Sequence, residues 1–306
     1  MRQLFACAVT VACALSAGAF AQEKLAFKLE EGRKLVYLTE TKTEQVLTIA
    51  GMDLETKNTA FQKSSHTLGQ RAADGTIRQT DKVESLQIDM QLPGGLSFNF
   101  DSGNPNKAPD NPLLEPVAKL FRVLCQSSST LIYDRNDAIK DAELPADIAA
   151  QVDPMFQGDF SAEKVKKQAQ QQRLFLPTEP VKPGDKWEFN TDTGIGGGQT
   201  FSFRTECEYT GIVEKDGRKL HRIVEKPLTV SYAMDPASQS PLKVLNSDLK
   251  IAEAEGEYLF DAERGITHSH TSKVHIVGPM TFSVNGQELP GKVDLTINAK
   301  VAMEPQ

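Results

Sequence analysis

The chain has 306 residues and a formal charge of −7 at pH 7, from 41 acidic and 34 basic residues. A chain of this length forms one large domain or two smaller ones. Because the excess of acid is modest and the Lys and Arg residues are scattered, nucleic acids and anionic lipid surfaces are poor partners.

The first 21 residues have the composition of a cleaved export signal. Arg2 is followed by an apolar run from Leu4 to Phe20, and the small residues Ala19 and Ala21 precede a polar stretch. Small residues at these two places suit signal peptidase. We therefore expect cleavage near Ala21 and a location in the periplasm or outside the cell.

Residues 1–21 have two alternative interpretations besides a cleaved export signal. An uncleaved membrane anchor would need a longer run that is richer in Leu and Ile. A lipoprotein would be modified at Cys13, but the residue three places earlier is Thr10 and not the usual Leu. Since no later stretch is long and apolar enough to cross a bilayer, we predict no transmembrane segment after cleavage.

Most of the remaining chain has the pattern of β-strands joined by glycine-containing turns. The run from Lys34 to Ile49 predicts a long strand with one half-polar face, on which three Thr residues share a parity. The run from Gly291 to Met303 alternates strictly and predicts a strand with one buried face. Hairpin turns are predicted where Gly supplies a positive φ. The turn pairs are Asp74-Gly75, Gly94-Gly95, Asp216-Gly217 and Asn285-Gly286.

One hairpin allows its register to be predicted. A two-residue turn at Asp216-Gly217 places Val213 opposite Leu220. Continuing the same register places Tyr209 opposite Val224 on the same face.

Two segments break the β pattern. Apolar residues from Asn111 to Leu124 recur at helical spacing, with Asn111 as the N-cap. The segment from Leu144 to Leu176 contains a second helix that starts at Ala162, with Ser161 as its cap. The Lys and Gln content of this second helix predicts a surface position.

The sequence before the second helical segment resembles the sequence after it. Residues 31–37 resemble residues 183–189, since in each a Gly turn leads into a strand with aromatic residues. Residues 132–139 resemble residues 259–266. These likenesses predict a degenerate duplication, with two unrelated hairpins of common turn chemistry as the alternative.

The predicted fold is mainly β, with long antiparallel strands in a curved sheet or open barrel and one or two helical inserts. We divide the chain into a signal peptide at 1–21, a first β unit at 22–143, a helical insert at 144–177 and a second β unit at 178–306. A single continuous domain is the alternative division.

Three motifs resemble a family of exported bacterial β-rich proteins of unknown function. They are Gly-Arg-Lys-Leu-Val-Tyr at 32–37, the stretch 176–187 that ends in Gly-Asp-Lys-Trp, and Phe-Asp-Ala-Glu-Arg-Gly at 260–265. The resemblance covers nearly the whole chain after the leader and implies no catalytic residue. The chain is also distantly similar in architecture to the open barrels that carry lipids or lipoproteins in the cell envelope, and a shared architecture does not imply a shared function.

Two cysteines remain after the predicted leader is removed. An even pair in an oxidising compartment favours a disulfide between Cys125 and Cys207. Such a bond would close a long loop and stabilise the fold by about 4.5 kcal/mol in the chain-entropy model. Two buried free thiols are the alternative.

The histidines supply a weak metal candidate. His268 and His270 would share one face of a strand, at a spacing found in zinc sites. His275 has the opposite parity, and no carboxylate or cysteine completes the set. We therefore favour exposed strand residues over a metal site at this position.

No catalytic motif is found in the sequence. It contains no Gly-x-Ser-x-Gly elbow, and the glycines at 194–198 are not followed by the Lys-Ser/Thr of a phosphate-binding loop. We therefore predict no catalytic residue and no cofactor.

The leading hypothesis is a non-catalytic exported protein that binds or carries a hydrophobic small molecule in the cell envelope. One alternative is an envelope interaction module that binds a protein partner. Another is a hydrolase of extracytoplasmic polymers, which would need paired carboxylates in a cleft.

Overall fold

A computed structural model describes residues 22–196, 198–235, 238, 242–284 and 286–305. The predicted leader, residues 1–21, lies outside this described part. About 60% of the described residues are in β-strands, which confirms the predicted mainly-β class. Within the described residues, no helix has the length and apolar character needed to span a membrane.

The described residues form thirteen strands and three α-helices. The strands are β1 (Lys34–Ile49), β2 (Met52–Leu68), β3 (Ile77–Leu92), β4 (Leu96–Asp101), β5 (Ser128–Tyr133), β6 (Ile139–Glu143), β7 (Lys186–Gly196), β8 (Gln199–Lys215), β9 (Arg218–Met234), β10 (Leu242–Ser247), β11 (Lys250–Asp261), β12 (Ile266–Val284) and β13 (Gln287–Met303). The helices are α1 (Glu115–Gln126), α2 (Pro154–Gln157) and α3 (Ala162–Gln171).

All thirteen strands belong to one antiparallel sheet. Its order is β6-β5-β3-β2-β1-β13-β12-β11-β9-β8-β7, with β4 paired to β3 and β10 paired to β12. The pairing of β1 with β13 joins the strands of the two predicted β units into one continuous sheet. The division into separate units stays a prediction.

The two halves of the sheet share a strand order. In the first half β1, β2 and β3 are neighbours in turn, and β3 then pairs with β5, which pairs with β6. In the second half β7, β8 and β9 are neighbours in turn, and β9 pairs with β11, which pairs with β12. Each half therefore bypasses its fourth strand, but β4 pairs with β3 whereas β10 pairs with β12, and the duplication stays a prediction.

The β8–β9 hairpin confirms part of the predicted register and corrects the rest. Asp216 and Gly217 have φ values of 51° and 73°, as a tight turn requires, and Val213 pairs with Leu220. A β-bulge then follows at Gly211, so Tyr209 pairs with Ile223 and not with Val224. The extra residue of a bulge reverses the side-chain parity beyond it.

The predicted helix caps are present. The Asn111 side chain accepts a hydrogen bond from the amide of Leu113 (3.0 Å), which caps the 3-10 turn that leads into α1. The Ser161 hydroxyl accepts a hydrogen bond from the amide of Lys164 (3.2 Å), which caps α3. These bonds satisfy amides that have no partner inside a helix.

Helix α3 reveals the direction in which the sheet curves. The sheet is curved and does not close. Ala162 and Val165 of α3 pack on a cluster that contains Tyr133 of β5. Lys167 of the same helix pairs with Asp192 of β7 (2.7 Å). Strands β6 and β7 are the two edges of the sheet, and α3 is only about 15 Å long. A helix this short can contact strands at or beside both edges only if the sheet curves around it, so the face on which it packs is concave.

Hydrophobic clusters cover much of this concave face. One contains Ile276 and Phe282 near the β12–β13 turn, and another contains Phe98 beneath α1. A third is built around Phe175 and includes Leu25 of the segment before β1, whose side chain is 3% exposed. The core of the protein therefore lies on the concave side of the sheet.

Candidate functional site

The centre of the concave face is an uncharged surface, which we call the floor. It consists of ten residues on five neighbouring strands, and each of them is partly exposed. The pairing of β2, β1, β13, β12 and β11 aligns them in two rows. The rows are Ala60–Thr41–Ala299–Ser272–Gly256 and Asn58–Thr43–Ile297–Val274–Ala254.

The convex face of the same strands has the opposite character. Side chains alternate between the two faces of a strand, so the residues next to the floor in sequence point outward. They include Lys42, Glu255, Lys273 and Lys300. The charged side chains of these strands therefore lie on the convex face, and the floor on the concave face carries none.

Packed clusters bound the floor at both ends of its strands. Ile276 and Leu295 belong to the cluster at one end. Leu35 and Met303 belong to the cluster at the other end. Large side chains fill those ends, whereas Thr, Ala, Ser and Gly predominate between them. The floor residues stay partly exposed, although Ile297 and Val274 pack on the cluster at one end and Ala60 packs on the cluster beneath α1.

A buried polar group lies at one margin of the floor. Glu225 of β9 is 7% exposed, and its carboxylate is 2.8 Å from Nε2 of His270. The ring of Tyr258 stacks on His270 at 3.9 Å and on Phe175 at 3.9 Å. Burial, followed by the Glu225 charge, holds the pKa of Tyr258 well above its ordinary value.

A glycine makes room for this group. Gly256 of β11 pairs directly with Glu225, and a Cβ at Gly256 would lie 2.4 Å from Glu225 Oε1. The missing side chain therefore lets the carboxylate lie over the backbone of β11. Glu225 is not among the residues that the sequence pattern predicts as functional. Its only sequence signal is an acidic residue on the same strand face as the buried Ile223.

A second His–carboxylate pair lies at the opposite margin. Nδ1 of His66 on β2 is 2.7 Å from the carboxylate of Asp81 on β3. Gln79 donates to the same carboxylate (2.7 Å) and accepts from the hydroxyl of Tyr133 (3.3 Å). The floor thus has one partly buried polar pair on each side.

The structure separates the two histidines of the weak metal candidate. Leu259 pairs with Ser269 and Phe260 pairs with Thr267, so His268 is the extra residue of a β-bulge. His268 approaches Asp216 (3.6 Å), whereas His270 bonds Glu225. In the described part of the chain, no three His, Cys, Asp or Glu side chains are arranged to hold a metal ion.

The predicted disulfide is not present in the structure. Cys125 packs in the cluster beneath α1, and Cys207 packs in the cluster around Phe175, with six strands of the sheet between β3 and β8. Burial raises the pKa of both thiols, and for Cys207 the nearby Glu225 adds to the effect. A thiolate nucleophile is disfavoured at both positions.

The arrangement suits binding more than bond cleavage. The floor offers methyl and methylene groups for apolar contact, and its few polar atoms are hydroxyls and one amide. The Glu225–His270 pair adjoins Cys207, but burial disfavours the thiolate there. The sequence pattern showed the Thr parity in β1 but not the alignment of five strands that creates the floor.

Comparison with known proteins identifies no family. No family model and no curated protein matches the chain. Lipovitellin, from a structure titled for its lipid–protein interactions, is 13% identical over 91% of this chain and 26% of its own, with a TM-score of 0.46. This chain therefore spans about a quarter of the lipovitellin chain.

Two bacterial structures are also similar over most of their length. An outer membrane channel from Pseudomonas putida F1 is 7% identical over 91% of this chain and 98% of its own, with a TM-score of 0.24. A DUF1329 family protein from Desulfovibrio piger is 8% identical over 86% of this chain and 84% of its own, with a TM-score of 0.12. Likenesses at these scores carry no argument about function.

Proposed function

We propose that the protein is exported and binds the apolar part of a small hydrophobic or amphiphilic molecule on the floor. One observation carries this proposal. The floor, at the centre of the concave face, is uncharged and partly exposed, and clusters of packed side chains surround it.

The size of the floor suits an extended hydrocarbon chain. Five strands at about 4.8 Å spacing give a width of about 19 Å, and two rows on one face are about 7 Å apart. A chain lying across the strands would contact the methyl groups of Thr41, Ala60 and Ala299. Each methylene that it buries contributes about 0.8 kcal/mol before the costs of association are subtracted.

The composition of residues 1–21 supports export with cleavage near Ala21. The amide of Glu23 donates to the carbonyl of Val181 (2.7 Å), and Phe27 packs edge-on against Phe260 at 5.5 Å. A chain cleaved near Ala21 would therefore keep all of the packed segment.

Binding of a protein along the sheet edges is the less favoured function. Edge strands bind partners through unpaired backbone groups. Helix α3 contacts both β6 and β7, the two edge strands of the sheet. The edges are thus partly shielded, whereas the floor is partly exposed.

A matched pair of variants tests the proposal. Ala299→Asp places a carboxylate on the floor, and Asn298→Asp places one on the convex face of the same strand. An apolar ligand covering the new carboxylate at 299 would strip it of water at a cost of several kcal/mol, about a 100-fold loss of affinity or more. Asn298→Asp should bind as the wild type does.

The probes are N-phenyl-1-naphthylamine fluorescence and its displacement by palmitate, with native mass spectrometry of protein purified from the periplasm. Saturable fluorescence that palmitate displaces, lost in Ala299→Asp and kept in Asn298→Asp, would support the proposal. Absence of binding by wild-type protein, or equal binding by the two variants, would overturn it.

A further inference from the structure

A solvent-exposed phenylalanine stands on the charged convex face. The Phe61 side chain on β2 is 48% exposed, on the side opposite the floor. Its direct cross-strand neighbours are Glu40 of β1 and Gln87 of β3. An aromatic ring held in a polar setting offers one apolar face to a ligand while its surroundings offer hydrogen bonds.

The ring forms one wall of an open cavity of about 310 Å³, which we call the outer pocket. This volume is at the lower end of the range of about 300–1,000 Å³ for small-molecule sites. Seven side chains set its chemistry. They are Phe61, Gln87, Asp89, Asn99, Asp101, Asn104 and Lys107.

Strand register arranges the base of the outer pocket. Phe61 pairs with Gln87, and Gln87 pairs with Asp101 of β4. One step along the strands, Asp89 pairs with Asn99. All of these residues share the convex face, so their flat polar groups lie side by side next to the ring.

The polar groups of the outer pocket are available to a ligand. Within the described residues, the side chains of Gln87, Asp89 and Asn99 take part in no hydrogen bond or ion pair. Together they present two amides and one carboxylate, each able to bond two neighbouring groups of a ligand.

The loop at residues 102–107 forms the other wall and is held in place by α1. The Asp101 carboxylate accepts a hydrogen bond from the amide of Gly103 (2.8 Å). Arg122 of α1 donates from Nε to the carbonyl of Pro105 (2.6 Å), and Glu115 pairs with the same guanidinium (2.6 Å). The position of the loop is therefore set before any ligand arrives, which lowers the cost of binding.

We propose that the outer pocket binds a neutral sugar ring in the pyranose form. The apolar C–H face of a pyranose would stack on Phe61, and adjacent hydroxyls would each reach an amide or carboxylate of Gln87, Asp89 or Asn99. This site lies on the face opposite the floor and does not depend on ligand binding there.

Other ligand classes fit the pocket less well. A hydrocarbon chain would strip water from Asp89 and Asp101 without giving hydrogen bonds in return. A phosphate or carboxylate would meet two carboxylates and only one cation, Lys107. A quaternary ammonium ion would use the ring and the carboxylates but leave the amides without partners.

Saturation-transfer difference NMR on the full-length secreted protein tests the proposal. The probes are methyl glycosides of glucose, galactose, mannose and xylose, together with N-acetylglucosamine and choline. Phe61→Ala should reduce sugar binding about tenfold or more, because it removes the stacking surface. Leu38→Ala is the matched control, since Leu38 is 43% exposed on the convex face of the neighbouring strand and does not line the pocket.

Transfer to the ring C–H protons of at least one sugar, lost in Phe61→Ala and kept in Leu38→Ala, supports the proposal. Failure of every sugar to bind, unchanged binding in Phe61→Ala, or choline binding in place of sugar overturns it. Asp89→Asn keeps the shape of the pocket, and a neutral sugar should still bind this variant within a few-fold of wild type, whereas a cation should not.

Discussion

Replacing Gly291 by alanine should destabilise the sheet where its two halves meet. Gly291 of β13 pairs with Ile49 of β1. A Cβ at this position would lie 2.2 Å from the carbonyl oxygen of Thr48 and 2.6 Å from the Phe282 ring. The first of these atoms belongs to the backbone of the neighbouring strand, so β1 and β13 would have to separate.

The expected cost is that of an overpacked core. Such insertions cost about 1–3 kcal/mol, and about 2 kcal/mol in a chain of this size lowers Tm by about 3 °C. Gly194→Ala is the matched control, because this strand glycine has no atom within 4 Å of the added Cβ. Differential scanning calorimetry should show a lower Tm for Gly291→Ala and little change for Gly194→Ala. Equal Tm values would refute the close approach of β1 and β13 at this point.

Three further predictions concern buried groups. Glu225→Ala should cost about 3–5 kcal/mol in urea unfolding, since His270 loses its buried partner, while Glu257→Ala removes a surface ion pair and should cost under about 1 kcal/mol. Cys207 is buried and should not react quickly with Ellman's reagent in native Cys125→Ser protein at pH 8, and a fast-reacting thiol in that variant would contradict its burial. All five tyrosines have raised pKa values because they are buried, so ultraviolet titration of the folded protein should show no ionisation near pH 10. Tyrosines in the unfolded chain ionise near pH 10, at a lower pH than the same tyrosines in the folded protein. Their contribution to the free energy of unfolding should therefore be complete below about pH 10 and should be lost as the pH rises through the folded pKa values. Burial raises the pKa of three of these tyrosines to about 12 in the folded protein, namely Tyr37, Tyr133 and Tyr232.

Local patterns predicted the elements of the fold well. The run from Lys34 to Ile49 is strand β1 in the structure, and the cap at Ser161 starts α3 where the pattern placed it. Alternation, turn chemistry and capping act over a few residues, so they can be recognised in the sequence. The fold class and the floor strands β1 and β13 could be predicted for this reason.

Features that depend on the assembled sheet could not be predicted. The bulge at Gly211 moves Ile223 onto the buried face opposite Tyr209, and the bulge at His268 separates that residue from His270. One extra residue reverses every later side chain, and alternation within a single strand does not show where that occurs. The floor was missed for a related reason, since it combines residues from five strands whose order the sequence does not state.

The adjacency of β1 and β13 sets the order of events in folding. Tyr37 pairs with Met303, so β1 finds one of its two neighbours only in β13, more than 200 residues later in the chain. Contacts between such distant parts of a polypeptide form slowly and late. Until β13 is available, one side of β1 has no strand to pair with.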